Sequence, residues 1–460
     1  MVSKKIRMEE EELAKYDGYV EQQRFTCALG AIQTVIAIPR AVPILHSGPG
    51  CGEMVAGFFE RSRGYAGGDT SPCTNFNEKD VVFGGIEKLR NIIENTYKVL
   101  DTDLQVVVTG CTGGIVGDDV DGLVQEFQDR DKPIVSVDTP GFKSNNFVSH
   151  SNVINAIIDQ YVSKFEDELD EFRTEKKLVN LFASIPYQDP FWKGNIREYK
   201  RLLEGIGLKV NVFFGPESKG VKEFQDIPKA NFNILVSPWY GKSIVDNLER
   251  KYGQPYTWFH SVPIGANETE KFLNQVIEFA NEQDAELNEV KAASFIKHEI
   301  KAYYEELDNL ATFLLEFRFG LPNHVHILHD AGYVVGMAKF ILHEVGLVPK
   351  ELFITDNTPD KYKQAIIDDL KSTSDKKDIP LYFEPNAGNA QDILRGIKHD
   401  GDGIILGAGW DETLAKEKGY DFLSVAIPSA VRLVLTTNYV GFTGGLRLIE
   451  DIYNTVLKGF

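Results

Sequence analysis

Four cysteines are the residues of this chain best suited to chemistry, and all of them lie between Cys27 and Cys111 of the 460 residues. Cys51 lies in the glycine- and proline-rich turn His46–Gly52, and Cys111 follows Gly110. A thiol in a glycine-rich turn can be approached closely by a bulky ligand, because no Cβ blocks the way. The separations along the chain fit no short zinc pattern such as paired C-x-x-C motifs. They fit thiolates that several loops of one fold bring together.

The remaining cysteine, Cys73, follows Pro72 in a separate loop. A buried cysteine by itself is most often a small hydrophobic residue without chemistry, and we prefer this interpretation for Cys73. The alternative is that Cys73 supplies a fourth thiolate. Four thiolates would hold an ordinary four-iron cluster within one chain.

The composition is that of a soluble globular protein, with 43% apolar and 25% charged residues. The net charge of −19 argues against binding to nucleic acid, which requires a basic surface. No apolar run is long enough for a transmembrane helix, and the charged N-terminus runs into Glu9–Glu12 without the apolar core of a signal peptide. We therefore expect a cytoplasmic protein, whose cysteines stay reduced and free for metal or redox chemistry.

Runs of strand and helix alternate three times along the sequence, which predicts an α/β fold of three doubly wound, Rossmann-like domains with mainly parallel sheets. We expect domains at residues 1–175, 176–322 and 323–460. In the first domain a predicted strand at 105–108 ends just before Cys111. The carboxyl ends of parallel strands are where such sheets bind their ligands. A helix is expected to begin near Asp118 and Asp119, which would cap its N-terminus.

Three histidines near the start of the third domain form a His-x-His-x-x-His pattern. On an alternating strand His324 and His326 share a face, as the ligands of a metal site do, and His329 follows. Because Asp330 is the only neighbouring carboxylate in the sequence, we prefer ordinary strand-edge histidines over a metal site at this position.

Six segments, densest between residues 25 and 142, follow one another along the chain: Cys27–Ala31, His46–Gly52, Glu78–Gly85, Gly110–Asp119, Asp138–Phe142 and Tyr439–Gly445. Together they resemble the nitrogenase component 1 family. That family includes the two large nitrogenase subunits, their cofactor-assembly homologues and the subunits of dark-operative protochlorophyllide reductase. The resemblance spans nearly the whole chain and implies the three-domain fold of that family.

The resemblance implies that Cys27, Cys51 and Cys111 bind an iron–sulfur cluster. In nitrogenases, three cysteines from each of two large subunits hold the eight-iron [8Fe-7S] P-cluster between them, so this set matches half of that site. A [4Fe-4S] cluster is the alternative. Thiolates without a neighbouring histidine suit iron–sulfur chemistry. His46 would either orient its turn or donate to a cluster sulfur, and Phe83 matches the position that faces the docked, ATP-hydrolysing iron protein.

The resemblance is to the β-type subunit of the family. Catalytic subunits bind the active-site cofactor through a cysteine of the second domain and a histidine of the third. This chain has no cysteine after Cys111 and no histidine at 436–442. We therefore expect no catalytic residue on this chain. The phosphate-binding pattern GxxxxGK[ST] is also missing from the sequence, so that ATP hydrolysis would require a partner.

These observations predict a β-type subunit of a nitrogenase or nitrogenase-like reductase. It would pair with a homologous catalytic α-type subunit in an α2β2 complex and relay electrons from the ATP-dependent iron protein to the catalytic cofactor on that partner. We expect neither nucleic acid nor membrane as a partner. Two alternatives stay open: a scaffold subunit for metallocofactor assembly, and a metal-free protein that binds small molecules in the clefts between its α/β domains.

Overall fold

Three parallel sheets follow one another along the chain. The computed structural model describes residues 28–54, 71–317, 320–373 and 379–457. The strands in these ranges are β1 Ala41–His46, β2 Leu104–Thr109, β3 Ile134–Asp138, β4 Glu175–Phe182, β5 Lys209–Asn211, β6 Ala230–Val236, β7 Tyr256–Phe259, β8 His324–His329, β9 Pro349–Ile354, β10 Leu381–Phe383, β11 Gly403–Ala408 and β12 Asp421–Ala426. The strand orders are β1-β2-β3, β5-β4-β6-β7 and β10-β9-β8-β11-β12. All pairings between these strands are parallel.

Helices connect and cover the strands. They are α1 Ala28–Ile36, α2 Glu78–Phe83, α3 Ile86–Val99, α4 Cys111–Val116, α5 Val120–Gln128, α6 Asn146–Gln160, α7 Trp192–Gly205, α8 Val221–Gln225, α9 Lys242–Tyr252, α10 Gly265–Glu282, α11 Glu289–Phe317, α12 Ala331–Phe340, α13 Asp360–Thr373, α14 Ala387–Gly396, α15 Glu412–Lys418 and α16 Gly441–Leu457. Short helical turns lie at 49–54, Val162–Glu168, Gly215–Glu217, Ile227–Lys229, Ile341–Val345 and Gly409–Asp411. Across the described ranges, no helix is long and apolar enough to cross a membrane.

The sequence pattern of the first domain explains its layers. All six residues of β2 are buried, and its run of three valines is typical of a parallel strand covered by helices on both faces. The covering helix α3 is amphipathic, with Leu89 and Ile93 one turn apart and fully buried. This packing holds the carboxyl ends of β1 and β2 side by side.

The C-terminal motif Tyr439–Gly445 packs against the second domain. A Cβ at Gly445 would lie 2.5 Å from the Cα of Gly265, so that α16 and α10 approach backbone to backbone. The N–H of Tyr439 donates to the side-chain oxygen of Asn195 at 3.0 Å. These contacts explain why glycine is required at the motif, since any larger residue would separate the two helices.

The prediction of an α/β fold with three doubly wound domains and parallel sheets is confirmed. One detail differs, because Cys111 is itself the first residue of a helix, α4, which ends at the left-handed Gly117 before α5 begins. The domain limits at 175/176 and 322/323 stay a prediction.

Candidate functional site

The turn after β1 carries Cys51 and lies beside Cys73. The helical segment 49–54 follows β1 and includes Cys51. The hydroxyl of Ser47 lies 3.8 Å from Cys51 Sγ, and Cys73 Sγ donates to the carbonyl of Ser47 at 3.4 Å. Cys73 is held there because it forms an isolated parallel bridge with Leu45 of β1. The structure therefore brings Cys51 and Cys73 to the same turn.

The environment of Cys73 favours a neutral thiol in the absence of metal. Burial raises its pKa, and the neighbouring thiol of Cys51 adds to this effect. The N–H of Asn75 donates to Cys73 Sγ at 3.3 Å and opposes the rise without cancelling it. A bound metal ion would deprotonate such a thiol.

Cys111 lies at the carboxyl end of β2, beside the same turn. β1 and β2 pair in parallel, so their carboxyl ends are adjacent. Gly110 packs so tightly on Ser47 that a Cβ at this position would lie 2.7 Å from the serine hydroxyl. On its other side, Cys111 Sγ accepts the N–H of Gly141 at 3.1 Å. Cys51 and Cys111 therefore flank Ser47 from neighbouring strand ends.

Cys27, the third predicted ligand, lies outside the described residues, immediately before α1. The start of α1 packs closely on α6, because a Cβ at Gly30 would lie 2.4 Å from the carbonyl oxygen of Asn146. Asn146 begins α6, shortly after the Gly141 that donates to Cys111. Helix α1 is thus tied to the loop that contacts Cys111, while Cys27 stays a predicted ligand.

A buried carboxylate connects the cysteine turn to the start of α3. Asp118 Oδ2 accepts Nε2–H of His46 at 3.0 Å and the N–H of Gly85 at 2.8 Å. Burial lowers the pKa of His46, although its bond to Asp118 opposes this, so the ring is neutral and its proton lies on the nitrogen that faces the carboxylate. His46 thus orients its turn through Asp118.

The prediction that both acidic residues cap a helix is wrong for Asp118. Only Asp119 is the N-cap of α5, where its side chain accepts the N–H of Gly122 at 3.0 Å. A helix has one N-cap position, so the second of two adjacent acidic residues needs another role. The sequence therefore indicates that one of the two residues has another role, but the partners of Asp118 are visible only in the folded chain.

We expect Asp118→Ala to lower the free energy of unfolding by about 2 to 3 kcal/mol, because it leaves two buried donors without a partner. The matched control, Asp119→Ala, removes one exposed helix cap and should cost about 1 kcal/mol. Chemical denaturation of the purified variants measures both values. Equal effects of the two substitutions would contradict the bridging role of Asp118.

An exposed apolar surface lies next to the cysteines. Helix α2 is held by a capping box in which Asn77 and Asp80 satisfy each other's backbone N–H groups. Phe142 packs near α4, since a Cβ at Gly114 would lie 3.5 Å from its ring. We call the following side chains, which are 58 to 81% exposed, the apolar surface: Val82, Phe83, Ile115 and Phe142.

The donor set of the site suits an iron–sulfur centre. Backbone N–H groups donate to the sulfurs of Cys73 and Cys111. Such bonds stabilise thiolates and tune the reduction potential of iron–sulfur centres. A Cβ at Gly50 would meet no described residue within 4 Å. Half-buried thiols and sulfur-directed N–H groups fit a thiolate-bound cluster.

Comparison with known proteins identifies the class to which this fold and this site belong. The sequence matches the model of the nitrogenase component 1 type oxidoreductase family over residues 26–457, and the chain belongs to this family. Within the family it is of the β type. It is 26% identical to the nitrogenase molybdenum-iron protein beta chain of Methanococcus maripaludis, with 95% of this chain and 94% of that chain covered.

Other relatives agree with this assignment. The chain is 22% identical to the nitrogenase iron-iron protein beta chain of Rhodobacter capsulatus, over 94% of this chain and 93% of that one. A solved structure of nitrogenase Cp1 at pH 6.5 superimposes with a TM-score of 0.76 and 19% identity, covering 96% of this chain and 94% of the other. At this identity the structural match establishes the fold.

Proposed function

We propose that this chain is the β-type subunit of a nitrogenase-like reductase and that it holds an iron–sulfur centre for electron relay. The observation that carries the proposal is the position of Cys51 and Cys111 at adjacent strand ends, with Cys51 beside Ser47 and Cys111 next to the Gly110 that packs on Ser47. Membership in the oxidoreductase family supports it. We propose cytoplasmic residence as well, since reduced thiols are needed for cluster binding.

The proposed ligands are Cys27, Cys51 and Cys111. Three thiolates from this chain suit half of an eight-iron P-cluster shared with a partner subunit. The alternative is a four-iron cluster held within this chain. Cys73 could supply its fourth thiolate, because the sulfurs of Cys73 and Cys51 lie at the same turn. When bound, either cluster supplies one-electron transfer, while the chain fixes its position and excludes bulk water.

The proposed partners follow from what this chain does not carry. The sequence contains no phosphate-binding GxxxxGK[ST] pattern, so an ATP-hydrolysing iron protein would supply the electrons. The substrate would be reduced at a cofactor on a homologous α-type subunit in an α2β2 complex. In this arrangement His46, Asp118 and Gly85 hold the cysteine turn in a constant position relative to the docking helix α2.

The iron protein would dock on the apolar surface. Phe83 is the last residue of α2 and, at 81%, the most exposed side chain of the apolar surface. A large aromatic side chain exposed to this degree is costly in water and typical of interaction sites. Asp118 connects this end of α2 to the turn that carries Cys51, because it accepts hydrogen bonds from both Gly85 and His46.

We expect Phe83→Ala to weaken docking of the iron protein by about 2 kcal/mol, roughly 30-fold in affinity, without changing bound iron. The measurement is the dependence of electron transfer on iron-protein concentration. Val99→Ala is the matched control, because Val99 is 77% exposed at the far end of α3. The docking proposal would be wrong if both variants behaved like the wild type.

A further inference from the structure

A second group of potential ligands lies in the third domain, away from the cysteines. His326 on β8, Glu351 on β9 and His399 in the loop before β11 offer two imidazole nitrogens and a carboxylate oxygen within 4.8 Å of one another. His326 Nδ1 lies 2.9 Å from Glu351 Oε2, and His399 Nε2 lies 3.1 Å from both oxygens of Glu351. Three separate chain segments thus converge on one point.

The ring nitrogens of His326 lack hydrogen bonds to the described residues. The side chain is fully buried, yet neither ring nitrogen makes a hydrogen bond to any described residue. Its Nδ1 lies 2.9 Å from Glu351 Oε2 without forming a hydrogen bond. Two ligands of one ion have this relation, because their lone pairs point at the metal and not at each other. Unpartnered buried polar atoms are rare, so this one needs an explanation.

We propose that His326, Glu351 and His399 bind a divalent transition-metal ion of the zinc class. Two histidines and one glutamate are an established zinc ligand set, and water would complete the tetrahedron. Bonds of about 2.1 Å place tetrahedral ligand atoms roughly 3.4 Å apart. The separations from Glu351, 2.9 and 3.1 Å, are close to this value, and the two imidazole nitrogens lie within 4.8 Å of each other.

The charges around the group suit a cation. Burial lowers the pKa of His326, although Glu351 opposes this, so that the ring is neutral as a metal ligand must be. Burial raises the pKa of Glu351, but its contacts with His326 and His399 outweigh this and lower it. The nearby Lys418 does not compete, because its ammonium donates to the backbone carbonyls of Leu394 and Ile397.

Neighbouring rings hold the imidazoles in place. Tyr420 stacks on His326 with ring centroids 5.5 Å apart, and His324 stacks on His399 at 4.8 Å. His324 Nε2 is bound to the carbonyl of Asp400, which fixes the loop that carries His399. The site lies towards the amino ends of β8 and β9. Its expected role is therefore to join β8, β9 and this loop.

The proposed site differs from the sequence-based preference for ordinary histidines, which stays a prediction. His324 and His326 do lie close to the same neighbour, His399. His329 does not join them, because its Nε2 bonds to the carbonyl of Val425. The partners that complete the site are distant in sequence, which is why the pattern of three histidines alone indicated so little.

The test is zinc binding by the full-length chain. Wild type, His399→Gln and Glu351→Gln are incubated with Zn²⁺, freed of excess metal and analysed by mass spectrometry for zinc per chain. Zinc affinity is then measured by competition with a chromophoric chelator. His343→Gln is the matched control, since His343 is exposed in the same domain. Zinc held by cysteines is the same in all four proteins and cancels in the comparison.

We expect wild type and His343→Gln to retain about one zinc ion more per chain than the two site variants, which should bind at least about 10-fold more weakly. His399 is on a half-exposed loop, so that its variant should fold, and circular dichroism checks this. Zinc should also raise the melting temperature of wild type but not of His399→Gln. Equal zinc content and equal thermal shifts in all four proteins would overturn the proposal.

Discussion

Replacing Cys111 by alanine is expected to remove the cluster from the complex. Residues that only support metal ligands typically change metal affinity or activity by about 10- to 100-fold when they are replaced. Loss of a ligand itself should have a larger effect, so electron uptake from the iron protein should fall on the order of 100-fold or more. The thiol lies at the strand end beside Ser47 and accepts the N–H of Gly141. Iron content and the rate of reoxidation of the reduced iron protein measure the two effects.

Cys73→Ala is the matched control for this experiment, since it removes a thiol from the same turn. With a P-cluster shared between subunits, Cys73→Ala should retain iron and electron transfer. If it loses both, the four-iron form within this chain is correct. If Cys111→Ala keeps its iron, Cys111 is not a ligand and the proposed site is wrong.

Lys339→Met is expected to lower the free energy of unfolding by about 2 to 4 kcal/mol. Lys339 on α12 is 8% exposed and pairs with Glu268 of α10 at 3.2 Å and with Asp369 of α13 at 2.7 Å. Removing one partner of a buried ion pair typically costs about 3 to 5 kcal/mol, because the remaining charges lose their partner. We expect a smaller loss than this typical range, because a cavity of about 470 Å³ borders the three residues and gives access to water.

The pKa of Glu268 is consistent with its pairing with Lys339. Burial raises the pKa of Glu268, but the contacts with Lys339 and Lys271 together outweigh this, and the pKa is lowered overall. Lys271→Met is the matched control, since Lys271 pairs with the same carboxylate but is 65% exposed. It should cost about 1 kcal/mol or less in the same denaturation experiment. A comparable loss in both variants would contradict the prediction that the buried Lys339 contributes more to stability than the exposed Lys271.

Much of this architecture is predictable from local pattern. The valine run of β2 predicts a buried parallel strand, and the strand end then predicts the position of Cys111. Glycines at 110 and 113 indicate that another chain segment packs closely on this turn. In the structure Gly110 packs on Ser47 and Gly113 on His46. Features of this kind are visible in sequence because strand, turn and ligand residue follow one another within a few positions.

Long-range contacts are not predictable in this way. Asp118 reads as a helix cap, and only the folded chain shows that it accepts bonds from His46 and Gly85. In the same way, Glu351 and His399 join His326 through the neighbouring positions of β8, β9 and the loop before β11. The sequence predicts a domain limit at 175/176, whereas β4 already begins at Glu175, because the strand continues beyond its buried residues.

The most direct test of the proposed function is the iron–sulfur content of the complex itself. The chain is produced with its α-type partner and purified without oxygen, and iron, acid-labile sulfide and EPR spectra of the reduced and oxidised states are measured. We predict iron and sulfide that depend on Cys51 and Cys111, with an EPR signal that changes on reduction. A folded complex whose iron and sulfide are unaffected when both cysteines are replaced would contradict the account.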